Sequence, residues 1–238
     1  MKPLKNKPKK GLAAYVDGQW WLLESQTDYA KAILLMRERI DFYKDGLRHY
    51  ADGPAIVRAD GAQLWYLKGR LHRADGPAVI WTDGIKEWYK DGKLHRDDGP
   101  AVVGAEGNKY WYLKGKRHRE DGPAIVRADG HEEWYQNGRH HRADGPAVIW
   151  ADGTEEWHLN GLRHRVNGPA IIRMNSYEAW YLNGEYHRAD GPAVIRANGY
   201  KAWYQDGERH RVDGPAVVRV DGVKFWYLKG KLVKHEAP

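Results

Sequence analysis

Residues 65–87 read Trp-Tyr-Leu-Lys-Gly-Arg-Leu-His-Arg-Ala-Asp-Gly-Pro-Ala-Val-Ile-Trp-Thr-Asp-Gly-Ile-Lys-Glu, and residues 88–110 carry the same pattern again. Outward from this stretch the tetrapeptide Asp-Gly-Pro-Ala starts at 52, 75, 98, 121, 144, 190 and 213, with Asn-Gly-Pro-Ala at 167. Each interval is 23 residues. A His precedes each tetrapeptide by three residues, from His49 to His210, and an aromatic pair recurs from Phe42-Tyr43 to Trp226-Tyr227. One period held over eight copies without insertion marks a repeat architecture, in which each unit contacts its neighbours.

Each unit is read as one β-hairpin. In the second copy, Pro77 to Thr82 form a strand with adjacent β-branched residues. Asp83-Gly84 makes a tight turn, because Gly accepts positive φ without steric cost. Ile85 to Tyr89 return, and a longer loop from Asp91-Gly92 runs through His95-Arg96 to Asp98-Gly99-Pro100. Pro opens a strand, where no ladder donor is needed. Period-2 alternation sends the Trp and the Tyr of each pair to opposite faces. The expected fold is all-β: an elongated single-sheet antiparallel array of eight hairpin repeats over 42–230.

The ends differ. Residues 1–10 hold five Lys and no acid, and are expected to form a basic disordered tail. Within 11–41, Ala13 to Val16 and Gln19 to Leu23 suggest a degenerate hairpin. Thr27 is read as the N-cap of a helix from Asp28 to Ile40, with Tyr29, Ile33, Met36 and Ile40 on one stripe. Its expected role is to cap the first repeat's open edge. The strand near Phe225 to Leu228 would form the other edge, followed by a tail at 231–238.

The 238 residues include 12 Trp, 12 His, 27 Gly and no Cys, with a net charge of +7. Lack of Cys removes disulfides and thiolate chemistry. No apolar run reaches the roughly 18 residues of a membrane span, and no secretory signal pattern is seen. These features suit a cytoplasmic protein. The charge divides unevenly: +5 over 1–10, −1 over 11–40, zero over 41–222 and +3 over 223–238. The array is thus neutral, and the basic pI near 9.3 belongs to the ends.

The unit resembles the MORN repeat, and most closely its divergent form in bacterial, phage and giant-virus proteins. The likeness rests on the 23-residue length, the Trp-Tyr strand, the Asn-Gly or Lys-Gly turn, the His after it and the second Asp-Gly turn, over about 42–230. The chain departs from the MORN pattern in placing Arg after the His, as in His72-Arg73, and in the Asp-Gly-Pro-Ala tetrapeptide. The resemblance implies a curved single-sheet solenoid that binds partners, and an association with toxin neutralisation and phage genomes.

Two residue sets stand out. His72, Arg73 and Asp75 recur as His95, Arg96, Asp98; His118, Arg119, Asp121; and His141, Arg142, Asp144. They are read as a structural ladder, with Arg and Asp paired and each His tying down its own loop. Equivalent His residues stand about 10 Å apart, two strand spacings, too far to share a metal ion at a bond of roughly 2 Å. No nucleophile pattern occurs, and an enzyme, a metal site and a cofactor are not expected. The second set, Arg58, Trp81, Arg127, Trp150, Arg173, Arg196 and Arg219, occupies one variable position in the Pro-Ala strands. Guanidinium and indole groups suit partner hot spots and cation–π contact. The expected function is a non-enzymatic scaffold that binds a protein, as an inhibitor or antitoxin sequestering a bacterial toxin or defence protein. The alternative is anion binding, to nucleic acid, nucleotide or anionic membrane surface, through the Arg/Trp face and the Lys tails.

Overall fold

A computed structural model describes residues 1–238, apart from the side chain of Gln26. The chain divides into two compact units, Met1–Lys116 and Arg117–Pro238. Each is built on an antiparallel sheet in hairpin order. The first unit starts with β1 (Lys2–Leu4), β2 (Leu12–Val16) and β3 (Gln19–Leu22), then α1 (Gln26–Leu35) and β4 (Arg39–Lys44). β1 pairs with β3, β3 with β2, and β2 with β4, which pairs with Ile56–Arg58 of the first repeat. From there each repeat adds two strands, as Val79–Ile80 against Lys86–Glu87. The second unit continues in the same manner from Ile125–Val126 to Lys231–Glu236.

The repeat holds two hairpins rather than the single one expected. The first, in the sheet, closes through Trp81-Thr82-Asp83-Gly84: the Trp81 N–H bonds the Ile85 carbonyl, and the Gly84 N–H the Trp81 carbonyl. This is a three-residue loop whose last residue is left-handed, and the Asp83 carboxylate accepts the Ile85 N–H at 3.0 Å. The second hairpin pairs Tyr89–Lys90 with Lys93–Leu94. Its turn has positive φ at both centres, 53° at Asp91 and 79° at Gly92, the conformation of a two-residue type I′ turn. The stretch read as a long loop therefore begins with a ribbon.

The Asp-Gly-Pro-Ala segment is explained by what it receives. The guanidinium of Arg73 lies 4.1 Å over the Trp65 ring, and those of Arg96, Arg142, Arg165, Arg188 and Arg211 lie 3.8–4.2 Å over the Trp of their repeats. Arg73 Nε donates to Asp75 at 3.0 Å and its Nη1 to the Pro77 carbonyl. Arg96, Arg119, Arg142, Arg188 and Arg211 pair with Asp98, Asp121, Asp144, Asp190 and Asp213 in the same way. Gly fills the next position because the guanidinium occupies the space of a side chain: a Cβ on Gly145 would stand 2.8 Å from Arg142 Cζ. After Pro comes Ala, fully buried in every repeat; the Ala55 carbonyl accepts the Phe42 N–H, and those of Ala78, Ala101, Ala147, Ala170, Ala193 and Ala216 accept the N–H of their repeat's Trp.

The His of the ladder reaches farther than expected. Each Nδ1 accepts a backbone N–H from the type I′ turn of the next repeat, nineteen residues on: Lys68 to His49, Asp91 to His72, Lys114 to His95 and Asn137 to His118. His141, His164, His187 and His210 do the same with Asn160, Asn183, Asp206 and Lys229. The His therefore joins repeats instead of tying down its own loop. The residue it holds is the left-handed one, which for Lys68, Lys114 and Lys229 is disfavoured by its own side chain.

The ends differ from expectation in three places. β1 falls within the segment read as disordered, and the Met1 amino group bonds Asp28 at 3.0 Å. α1 begins after Ser25, not Thr27, and stops at Leu35. It stops there because Asp17, in the β2–β3 turn, accepts the N–H groups of Arg37, Glu38 and Arg39 and holds them extended. Those bonds, led by that from Arg37, also hold the Asp17 carboxyl below its usual range. Ile40 consequently lies in β4, and Tyr29, Ile33 and Met36 pack beside it against Phe42. Tyr29 stacks on Tyr50 at 4.1 Å. Phe42 and Tyr50 stand where later repeats carry Trp and Arg, so the helix covers an aromatic ending of the ladder. At the other end Lys231–Glu236 pairs with Lys224–Leu228, and the sheet edge passes to this exposed strand.

Gly145→Ala is expected to lower unfolding free energy by about 1–3 kcal/mol, the usual range for overpacking; urea denaturation measures it, and an unchanged midpoint would contradict the sandwich. A second expectation concerns acid. Burial, then Lys44 and Lys68, lowers the pKa of His49 below the ordinary 6.5. A His held neutral in the fold stabilises above its unfolded pKa and loses that contribution as pH falls below it. Thermal midpoints followed from pH 7 to about 5 should fall, and fall less steeply in His49→Asn.

Candidate functional site

The frame residues turn toward one another, so the variable positions carry what is left to present. Trp81 Nε1 donates to Glu87 at 3.0 Å, and the Tyr89 hydroxyl donates to the other oxygen of Glu87 at 2.8 Å. These contacts place positions 81, 87 and 89 of the repeat on one sheet face. The residues predicted to bind a partner all occupy the first of these positions. Arg58, Arg127, Trp150, Arg173, Arg196 and Arg219 are exposed, and Trp81 is half-buried. In the first unit this row holds Arg58 and Trp81; in the second it holds Arg127, Trp150, Arg173, Arg196 and Arg219.

The row is not uniform. Arg58, Arg127 and Arg219 are paired with Asp60, Asp129 and Asp221, two residues on, at 3.3, 2.9 and 2.9 Å. Arg173 and Arg196 instead stack on Tyr177 and Tyr200, at 5.0 and 4.9 Å. Arg196, Arg209 and Arg219 line an open groove of about 680 Å³ with Tyr200, Phe225 and Tyr227. Arg209 donates to the hydroxyls of Tyr204 and Tyr227, both at 3.3 Å.

Beside this row, the fourth and fifth repeats hold a polar cluster that sequence reasoning missed. Glu133 accepts from His131 Nε2 at 2.7 Å, from His140 Nε2 at 2.6 Å and from the Tyr135 hydroxyl at 2.6 Å. Burial alone would raise the Glu133 pKa, but the bonds from His140, His131 and Tyr135 outweigh it and bring the carboxyl to about 2. Burial and the bond to Glu133 push the Tyr135 hydroxyl up to about 12, which keeps it a donor. The His140 ring stands 5.2 Å from that of His158, whose Nε2 contacts Glu156 at 3.1 Å. That contact is the main cause of a lowered Glu156 pKa. Trp150 covers His131, with ring centres 4.5 Å apart, and is itself 45 % exposed.

A signal for the cluster was present in the sequence. Of the 12 His, eight belong to the period, and three of the remaining four are His131, His140 and His158. Subtracting the repeat leaves them grouped. Their carboxylates could not be identified that way, since Glu is common in these strands. Both Glu133 oxygens are occupied by donors, so the cluster offers no open carboxylate base, while Nδ1 of His131 and of His158 are buried without a partner among the described residues. Among the described residues no group of three or more His, Asp or Glu is arranged to hold a metal ion. No helix among them is long and apolar enough to cross a membrane.

Glu133→Gln removes the charge that three donors share. It is expected to destabilise the protein by about 1–3 kcal/mol, the cost of leaving buried donors poorly satisfied. Chemical denaturation at pH 7 checks this, and Glu132→Gln, on the opposite face of the same strand, should lie within about 0.5 kcal/mol of the parent.

The chain matches no protein-family model, and no curated protein resembles it significantly.

Proposed function

We propose that this protein is a non-enzymatic repeat scaffold that binds another protein through the sheet face bearing positions 81, 87 and 89 of the repeat. The observation that carries the reading is a division of labour along the unit. The recurrent His, Arg, Asp, Gly, Pro and Ala are consumed in contacts with one another and with the next repeat. The variable residues lie on that sheet face within each unit, with exposed guanidiniums at Arg58, Arg127, Arg173, Arg196 and Arg219 and an exposed indole at Trp150. Trp and Arg dominate binding energy at protein interfaces. A neutral array fits a protein partner better than a phosphate backbone, whose capture depends on many cationic contacts.

The resemblance to divergent MORN-like repeats carries the finer reading: an inhibitor that sequesters a bacterial toxin or defence protein in the cytoplasm. Such an inhibitor needs a rigid surface of many contacts and no reactive group.

A partner isolated from bacterial lysate with the parent chain provides the assay. Trp150→Ala is expected to weaken its binding by about 2 kcal/mol or more, the loss typical of a hot spot, with an unchanged thermal midpoint. Retained affinity in Trp150→Ala, or no stable protein partner for the parent, counts against the reading.

A further inference from the structure

Two repeats of the second unit lack the carboxylates that neutralise this face elsewhere. In the sheet-hairpin turn, the residue two after the variable position is Asp60, Asp129 or Asp221 where that position is a paired Arg. After Arg173 and Arg196 it is Asn175 and Asn198. Asn198 keeps the structural half of the Asp role, since its side-chain oxygen still accepts the Tyr200 N–H at 3.1 Å. What it gives up is charge. The next strand changes in the same sense: the place of Glu87, Glu133 and Glu156 is taken by Ala179 and Ala202, both fully buried. Each of these two repeats has thus lost both acids that could face its Arg.

The guanidiniums are left supported but unneutralised. Arg173 and Arg196 are exposed, each lies over a Tyr ring, and among the described residues neither makes a salt bridge. Asp152 lies in the groove beside Arg173 and accepts the Thr154 N–H at 2.8 Å; its attraction to Arg173 is weak, the smallest of the causes that lower its own pKa, and the two make no salt bridge. Each guanidinium is held over its ring without a salt bridge, and a guanidinium so placed can accept a carboxylate in a bidentate pair. The two sites lie in neighbouring repeats, two strands apart, or roughly 10 Å.

We infer that the protein partner presents an acidic segment to the sixth and seventh repeats, seating one carboxylate on Arg173 and another on Arg196. The inference rests on the protein-binding reading above and names the chemistry of the partner. Nucleic acid is disfavoured because the charge is local: two open guanidiniums sit in an array with as many acids as bases, whereas phosphate tracking uses a continuous basic groove.

The test uses the full chain, fluorescein-labelled octaglutamate and a labelled 20-nucleotide single-stranded DNA, read by anisotropy at about 50 and 200 mM salt. Three double variants are compared. Arg173→Gln/Arg196→Gln removes the open pair. Lys93→Gln/Lys116→Gln removes the same charge from exposed lysines of the second hairpins, away from the variable row. Asn175→Asp/Asn198→Asp restores the missing carboxylates and leaves every Arg in place. Octaglutamate is expected to bind the parent and to bind the first and third variants about tenfold more weakly or worse, as expected for charge-assisted bonds. The second variant should lie within about twofold of the parent. Equal losses in the first two variants, unchanged binding in the third, no octaglutamate binding, or tighter binding of the DNA would each overturn the inference. A protein partner captured equally by the parent and by Arg173→Gln/Arg196→Gln also overturns it, while leaving the protein-binding reading standing. Failure to find any protein partner sinks that reading, and the octaglutamate series still decides this one.

Discussion

Every repeat after the first depends on a hydrogen bond it cannot make alone, from a backbone N–H in its type I′ turn to the histidine of the repeat before it. The unit is too small to bury a core. After the first repeat, its buried aliphatic side chains are one or two Ala and at most one β-branched residue, and the β-branched one contributes only about 1.5–3 kcal/mol. Twenty-three ordered residues cost far more than that in conformational entropy. Stability therefore accumulates between neighbours, through the His bond, the adjacent Gly92 N–H to Leu71 carbonyl type of bond, and the shared sheet. This explains why the period never slips. An inserted residue would misplace the turn N–H that lies nineteen positions after each His.

The Trp–Arg–Gly sandwich works inside the unit and frees the opposite face. Arg is held by the Trp ring, the Asp carboxylate and the Pro carbonyl at once, so it is a framing residue and not a ligand-binding one. Where Asn167 replaces the Asp, Arg165 still stacks at 3.8 Å and still donates to Pro169, so the ring and the carbonyl suffice. Exposed Arg–Asp pairs contribute little individually. The stack excludes any side chain larger than Gly beside it, and that steric demand, more than the ion pair, accounts for the invariant Gly-Pro.

Against this frame the other face is free to vary, and it does so in blocks. The fourth and fifth repeats build the Glu133 and Glu156 clusters, rich in His. The sixth to eighth replace those acids with Ala179, Ala202 and Phe225 and fill the space with Tyr177, Tyr186, Tyr200, Tyr204 and Tyr227. One backbone thereby carries two chemistries, because a change at positions 81, 85 or 87 of the unit does not disturb the His, Arg or Gly contacts.

The 23-residue period, the antiparallel strands, the Arg–Asp pairing and the common position of Arg58, Trp81, Arg127, Trp150, Arg173, Arg196 and Arg219 were legible in the residues alone. All are local: alternation, turn chemistry and short spacing decide them. The destination of His72 was not legible, because its partner is a backbone N–H in another repeat, and backbone groups carry no sequence signature. Nor was the end of α1, set by Asp17 twenty residues earlier. The gathering of His131, Glu133, Tyr135 and His140 depended on a second ribbon that brings position 140 back beside position 133. Local order followed from the sequence by itself; which side chains meet was decided by the tertiary structure, since only pairing between strands brings distant positions within hydrogen-bond distance.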